Sequence, residues 1–212
     1  MYIPRHFEET RTDVLHQLMR NEPFGALVTL GSAGLEANHL PFEVDCAAGE
    51  FGTLRCHVSR ANAMWRESRP DVEALAIFQG PQRYVTPSWY PTKAETGKVV
   101  PTWNYVVVHA YGPLRFIEDP TWLRAHLERL TRRHEADRPE PWELSDAPED
   151  YLAAQVRGIV GVEIAVTRLA GKWKVSQNRG EADRAGVTTG LRADADPASV
   201  VMADLIERRT GH

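Results

Sequence analysis

At 212 residues, with 42% hydrophobic and 25% charged residues, the chain can bury one sizeable core and lacks the composition of a disordered segment. A formal net charge of −4 argues against a surface built throughout to neutralise phosphates. No segment approaches the ~18 apolar residues of a membrane span, Met1-Tyr2-Ile3-Pro4-Arg5-His6 lacks the apolar run of a secretory signal, and Cys46 and Cys56 stand alone, so the expectation is a reduced, cytoplasmic protein without membrane association.

In chain order, Asp13 to Arg20 places Val14, Leu15, Leu18 and Met19 on one helical face, and Asn21-Glu22-Pro23 stops that helix. Phe24 to Leu30, the turn Gly31-Ser32-Ala33-Gly34 and Leu35 to Val44 read as a hairpin, with Phe51 to Val58 as a third strand. Ser59 is placed to cap a short helix from Arg60 to Ser68, after which Val72 to Gln79 returns as an apolar strand. Tyr105 to Ile117 forms the next long strand, and Asp119-Pro120 opens a helix through His134. Beyond a Pro-rich connector from Arg138 to Pro148 come a helix, Glu149 to Arg157, a strand, Ile159 to Leu169, a short strand from Gly171 to Val175, and a terminal helix opened by Asp196-Pro197. Short strands at even spacing, with no βαβ repeat, favour a mainly β fold: an antiparallel barrel with peripheral helices. The glycines of Gly31 to Gly34 belong to a turn and not to a dinucleotide fingerprint.

Several segments carry chemistry. Gly80 to Tyr90 and Val100 to Tyr105 set Trp89, Tyr90, Trp103 and Tyr105 beside prolines that fix φ, as a site for a flat ring needs. Left exposed on a monomer, those rings would also mark an interface, which predicts a homodimer. Ser59-Arg60-Ala61-Asn62 gathers a hydroxyl, a guanidinium and a carboxamide at an expected helix start, a place that favours an anion. Strand alternation sends Lys172 and Lys174 to one face, with Arg179 following. His126 and His134 lie eight apart without a third ligand and read as helix surface. The same helix bears Arg124, Arg129, Arg132 and Arg133 and is the one element suited to DNA, although Glu128 and Glu135 dilute it and no helix-turn-helix is present. No nucleophilic triad, zinc spacing or carboxylate pair emerges, and His39 and His57 license no acid–base role.

Five blocks in order resemble the PaiB family of FMN-binding negative transcriptional regulators. They are Met1-Tyr2-Ile3-Pro4 with His6-Phe7, Ala37-Asn38-His39-Leu40-Pro41-Phe42, His57-Val58-Ser59-Arg60-Ala61-Asn62, the aromatic segment, and Gly171-Lys172-Trp173-Lys174-Val175-Ser176-Gln177-Asn178-Arg179. The resemblance implies an FMN-binding split barrel of antiparallel Greek-key type, a single domain over residues 1–212 with a helical C-terminal extension, and a homodimer with flavin at its interface. It implies phosphate contacts from Ser59, Arg60 and Asn62, with Ala61 where distant split-barrel oxidases carry Lys. It further implies ring contacts from Asn38, His39, Leu40, Pro41, His57 and Val58, a second wall from Trp89, Tyr90, Trp103, Asn104 and Tyr105 with Thr102 also at the cofactor, and anion contacts from Lys174, Gln177 and Arg179.

Three functions follow. The first is a regulator or flavin-based sensor, whose DNA contact would be weak or indirect. The second is an FMN-dependent oxidoreductase acting on a nicotinamide or another small molecule. The third is a dimeric binding module without flavin; heme is the alternative ring.

Overall fold

The structure is a computed structural model that describes residues 1–194 and 196–210. From the N-terminus the chain forms β1 (Glu8–Glu9), α1 (Thr12–Asn21), β2 (Phe24–Gly31), β3 (Gly34–Pro41), β4 (Glu43–Asp45), β5 (Thr53–Ser59), α2 (Met64–Glu67) and β6 (Ala74–Val85). There follow α3 (Thr92–Thr96), β7 (Thr102–Gly112), β8 (Leu114–Ile117), α4 (Pro120–Glu135), α5 (Glu149–Arg157), β9 (Ile159–Ala165), β10 (Arg168–Lys174), α6 (Glu181–Ala193) and α7 (Pro197–Thr210).

Local chemistry sets most boundaries and corrects several expected ones. The strand expected from Leu35 to Val44 breaks at Phe42. Its ring is fully buried edge-on against Phe78 at 5.2 Å and its amide donates to the Pro23 carbonyl, so Glu43–Asp45 departs to pair with β5. Pro113, lacking an N–H, divides the strand expected from Tyr105 to Ile117 into β7 and β8. The helix expected at Arg60 starts only at Met64. Ser59 is still paired as the last residue of β5, the Asn62 amide closes a turn onto the Ser59 carbonyl, and the Asn62 side chain accepts from the Met64 amide at 2.9 Å. Asp119 caps α4 as expected, its carboxylate accepting from Thr121 N with Pro120 at the first turn.

The chain packs as two units. The second unit comprises Met19–Phe78 and His109–Leu169. Here β6, β2 and β3 pair in that order, and β4, β5, β9 and β8 form a four-stranded antiparallel sheet. Register places Arg55 opposite Glu163 and Glu163 opposite Arg115, so one carboxylate joins guanidiniums on both sides at 3.0 and 2.7 Å. His57 sits opposite Gly161. A Cβ at 161 would meet the Trp122 ring at 2.4 Å, so glycine there lets α4 lie close on the sheet.

The first unit comprises Met1–Leu18, Gln79–Val108 and Ala170–His212, with strand order β1, β10, β7, β6. Buried Glu9 anchors its edge, bound by Arg11 and Arg209. Burial alone would raise its carboxyl, but bonds from the Arg11 side chain and amide and from Arg209 hold it down at about 2. Helix α6 was not expected. Its Gly186 and Gly190, one turn apart, form a groove for Trp89, whose carbonyl would lie 2.0 Å from a Cβ at 186 and whose ring 2.4 Å from one at 190.

Candidate functional site

The residues expected to hold a cofactor fall into two groups, one in each unit. In the second unit, Leu40 and Pro41 from β3, His57, Val58 and Ser59 from β5, and Asn62 from the following turn line one cleft of about 400 Å³ that Gln155, Gly158 and Ile159 complete. That volume lies at the small end of the ~300–1,000 Å³ of small-molecule sites. Asn62 is held on both sides, its Nδ2 donating to Asn38 Oδ1 at 2.7 Å while its Oδ1 accepts from the Met64 amide at 2.9 Å, just ahead of α2. Asn38 thus acts behind the cleft, and His39, on the opposite face of β3, stacks on Phe24 at 6.3 Å.

Arg60, expected to contact a phosphate, is engaged here by the protein itself. Its guanidinium donates to the carbonyls of Arg157 and Ile159 at 2.8 and 3.2 Å and pairs with Glu118 at 2.5 Å, clipping β5 to the α5–β9 corner. With no helix starting at Ser59, the dipole that would draw a phosphate there is missing as well. The cleft lining carries no cation, which suits an uncharged ring edge.

Behind the cleft lies an arrangement that sequence reasoning missed. His126, expected on the surface, is fully buried, its Nε2 3.2 Å from His57 Nδ1 and its Nδ1 3.2 Å from Glu43 Oε2. Trp122 stacks on His126 at 5.3 Å, and Arg129 donates to the other Glu43 oxygen at 2.6 Å. Burial would raise the Glu43 carboxyl, but His126 and Arg129 hold it at about 2; burial, then His126, lowers His57 to about 4. The available signal was the spacing of Trp122, His126 and Arg129 at i, i+4 and i+7, which places them on one helix face. The arginines expected to face DNA are mostly engaged, with Arg129 on Glu43, Arg124 on Glu149 and Arg133 on the Arg20 carbonyl.

In the first unit, Lys174 donates to Thr102 Oγ1 and to the Trp103 carbonyl. Asn104 and Ser176 bond reciprocally, at 2.8 and 3.3 Å, and both are buried. Gln177 closes on its own turn through the Val175 amide and the Trp173 carbonyl. Asn104 and Gln177 thereby build the turn, and their amides are engaged within it. Arg179 lies 4.7 Å over the Tyr90 ring, and the Tyr90 hydroxyl is buried with no hydrogen-bond partner among the described residues. Burial first, then repulsion from Lys172 and Arg179, depresses the Lys174 ammonium. An anion would supply that hydroxyl with an acceptor and these cations with a counter-charge, opposed only by the buried Asp183 carboxylate that also acts on Tyr90, so the group fits a phosphate. Trp89 is packed on α6, whereas Trp103, 52% exposed, meets Tyr84 edge-on.

The sequence matches a family model described as "Putative FMN-binding domain" over residues 1–168. It is 33% identical over 244 residues to the uncharacterized protein AN0679 of Emericella nidulans, covering 99% of this chain and 97% of that one. It is 31% identical over 207 residues to the protease synthase and sporulation protein PAI 2 of Bacillus subtilis, covering 98% and 97%. Among solved structures, the flavocytochrome Anf3 of Azotobacter vinelandii shares the fold at a TM-score of 0.59 and 11% identity, over 87% of this chain and 78% of that one. The fold is accordingly the flavin-binding split barrel expected from the sequence, antiparallel sheet with peripheral helices, and FMN is the cofactor of the domain. The chain belongs to the PaiB family of FMN-binding split-barrel proteins.

Proposed function

We propose that this protein is a homodimeric, single-domain flavoprotein that works as a flavin-based sensor or regulator, with the polar edge of the FMN ring seated in the cleft of β3 and β5. The observation that carries the reading is that Leu40, Pro41, His57, Val58, Ser59 and Asn62, remote in sequence, line one cleft without a charge in it. Bound FMN supplies electron transfer, while the protein binds and orients it. Exposed Trp103, Tyr84 and Val100 supply apolar surface for a second copy. Direct DNA contact is weak on this reading, because the paired arginines of α4 leave few charges for phosphates. The exposed face of Trp103 favours a second reading, an oxidoreductase taking a nicotinamide; bleaching of bound FMN by NADH within seconds would select it.

Fluorescence titration tests the cleft. Ser59→Trp fills it from an exposed position and is expected to weaken FMN at least tenfold; an unchanged affinity overturns the assignment. Lys174→Met tests the first unit separately, as an anion site in its own right, and is expected to weaken binding of inorganic phosphate followed by calorimetry. Sedimentation tests the dimer, with Trp103→Glu expected to move the protein toward the 23.9 kDa monomer.

A further inference from the structure

The buried row of Glu43, His126 and His57 fixes where its protons lie. Glu43 is ionised, accepting from Arg129 as well as from His126, so His126 carries its proton on Nδ1 and turns an unprotonated Nε2 toward His57. The contact between the two rings needs one proton, which His57 Nδ1 must then supply. His57 lines the cleft and is left with Nε2 bare, and no protein group takes that atom among the described residues.

We propose that Glu43, His126 and His57 form a proton relay presenting the bare Nε2 of His57 to the cleft as acceptor for a ligand with an N–H or O–H donor, such as the imide of a flat ring. A proton arriving at His57 Nε2 is balanced by transfer of the shared proton from His57 Nδ1 to His126 Nε2. The charge then rests on His126, against Glu43 and under the face of Trp122, while His57 stays neutral with its proton on Nε2.

The surroundings make neutral rings the resting state. Glu43, Asp45 and Glu163 are matched by Arg55, Arg115 and Arg129, with Arg20 lining the same surface as Glu43 and Asp45, so no carboxylate is left over for an imidazolium to balance. From the other elements facing His57, β9 brings Gly161, and Leu40, Pro41 and Gln155 are uncharged. Burial first, then repulsion from His126, lowers His57 and favours its neutral form. This inference rests on the cleft reading only for the identity of the ligand.

Nitrogen NMR of the histidines in the flavin-free full chain at pH 7 tests it apart from FMN binding. The expected result is His57 protonated on Nδ1 alone, turning into a mixture of tautomers in Glu43→Met, where nothing holds the His126 proton in place. His57 protonated on Nε2 in the wild type, or a tautomer unmoved by a folded Glu43→Met, would overturn the relay. Should that variant not fold, the wild-type tautomer alone decides.

Discussion

Two runs of similar composition end strands in the two units, Ser59-Arg60-Ala61-Asn62 after β5 and Ser176-Gln177-Asn178-Arg179 after β10, and they use their polar groups in opposite ways. In the first unit the run folds on itself: Ser176 is buried in the left-handed region at φ 64, held by Asn104, and Gln177 closes the turn. In the second unit, Arg60 and Asn62 serve the backbone from behind, leaving Ser59 exposed at the mouth of a cleft. A polar side chain is free for a ligand where others satisfy the backbone around it, and composition alone does not say where that is.

The comparison is broken hardest at the glycines that support each site. Gly161→Ala drives a Cβ to within 2.4 Å of Trp122, which backs His126, and Gly190→Ala does the same to Trp89 beside the first-unit group. Overpacking of this kind costs about 1–3 kcal/mol, the reverse of the ~1 kcal/mol that glycine to alanine usually gains inside a helix. A calorimetric Tm lowered by several degrees in both variants is expected; a rise for Gly190→Ala would show that the Trp89 groove carries no packing.

Next comes the difference between the two asparagines. Asn104→Ala strands the buried Ser176 hydroxyl and should cost about 1–3 kcal/mol in urea unfolding. Asn62→Ala removes the acceptor of the Met64 amide at the start of α2, about 0.5–1.5 kcal/mol, and should in addition weaken FMN, which Asn104→Ala should do only through loss of fold. Equal FMN loss per unit of lost stability in both would erase the distinction between a turn builder and a cleft residue.

How much of this was legible in the sequence depended on whether the cause was local. Asp119-Pro120 announces α4 because cap and first-turn proline act within three residues, and the match of the five sequence blocks found the fold and singled out Leu40, Pro41, Val58 and Ser59, which the structure brings to one cleft. Helix α6 was invisible because Gly186 and Gly190 weigh against a helix, and their reason, the Trp89 groove, comes from residues almost a hundred positions away. The surroundings of His126 and Arg60 were hidden for the same cause in different forms. Whether a helical histidine is surface or relay, and whether an arginine meets a phosphate or two carbonyls, is decided by Glu43, His57, Arg157 and Ile159, which approach only on folding.

Acid should touch both units, with a smaller effect. Glu9 and Glu43 titrate from 4.5 in the open chain and only near 2 when folded, so between those values the unfolded chain takes up protons the folded one refuses. Their contribution is complete above about pH 4.5 and lost as pH falls toward 2, on the order of 1 kcal/mol each once solvent screening is allowed for. His57 acts in the same direction, its neutral form favoured by folding and its contribution lost from 6.5 toward about 4. Thermal melts between pH 7 and 3 should show a falling Tm, flattened at the acid end by Glu9→Gln; a Tm constant to pH 3 would mean that these carboxyls are not held as described.

The smallest change separates the cleft from its surroundings most finely. Ser59 Oγ accepts from the Ala61 amide at 3.3 Å, a long bond at an exposed position, so Ser59→Ala should leave stability within about 0.5 kcal/mol of wild type. If the hydroxyl meets the ring edge, one neutral hydrogen bond is lost on binding, about 0.5–1.5 kcal/mol and thus a two- to tenfold weaker FMN affinity. Riboflavin should weaken by the same factor, because a cleft without a cation contributes to the ring and not to the phosphate. A loss confined to FMN would return the phosphate to Ser59 and require Arg60 to leave Glu118 on binding. Comparing the two ligands on this single variant therefore decides which end of the cofactor β5 meets.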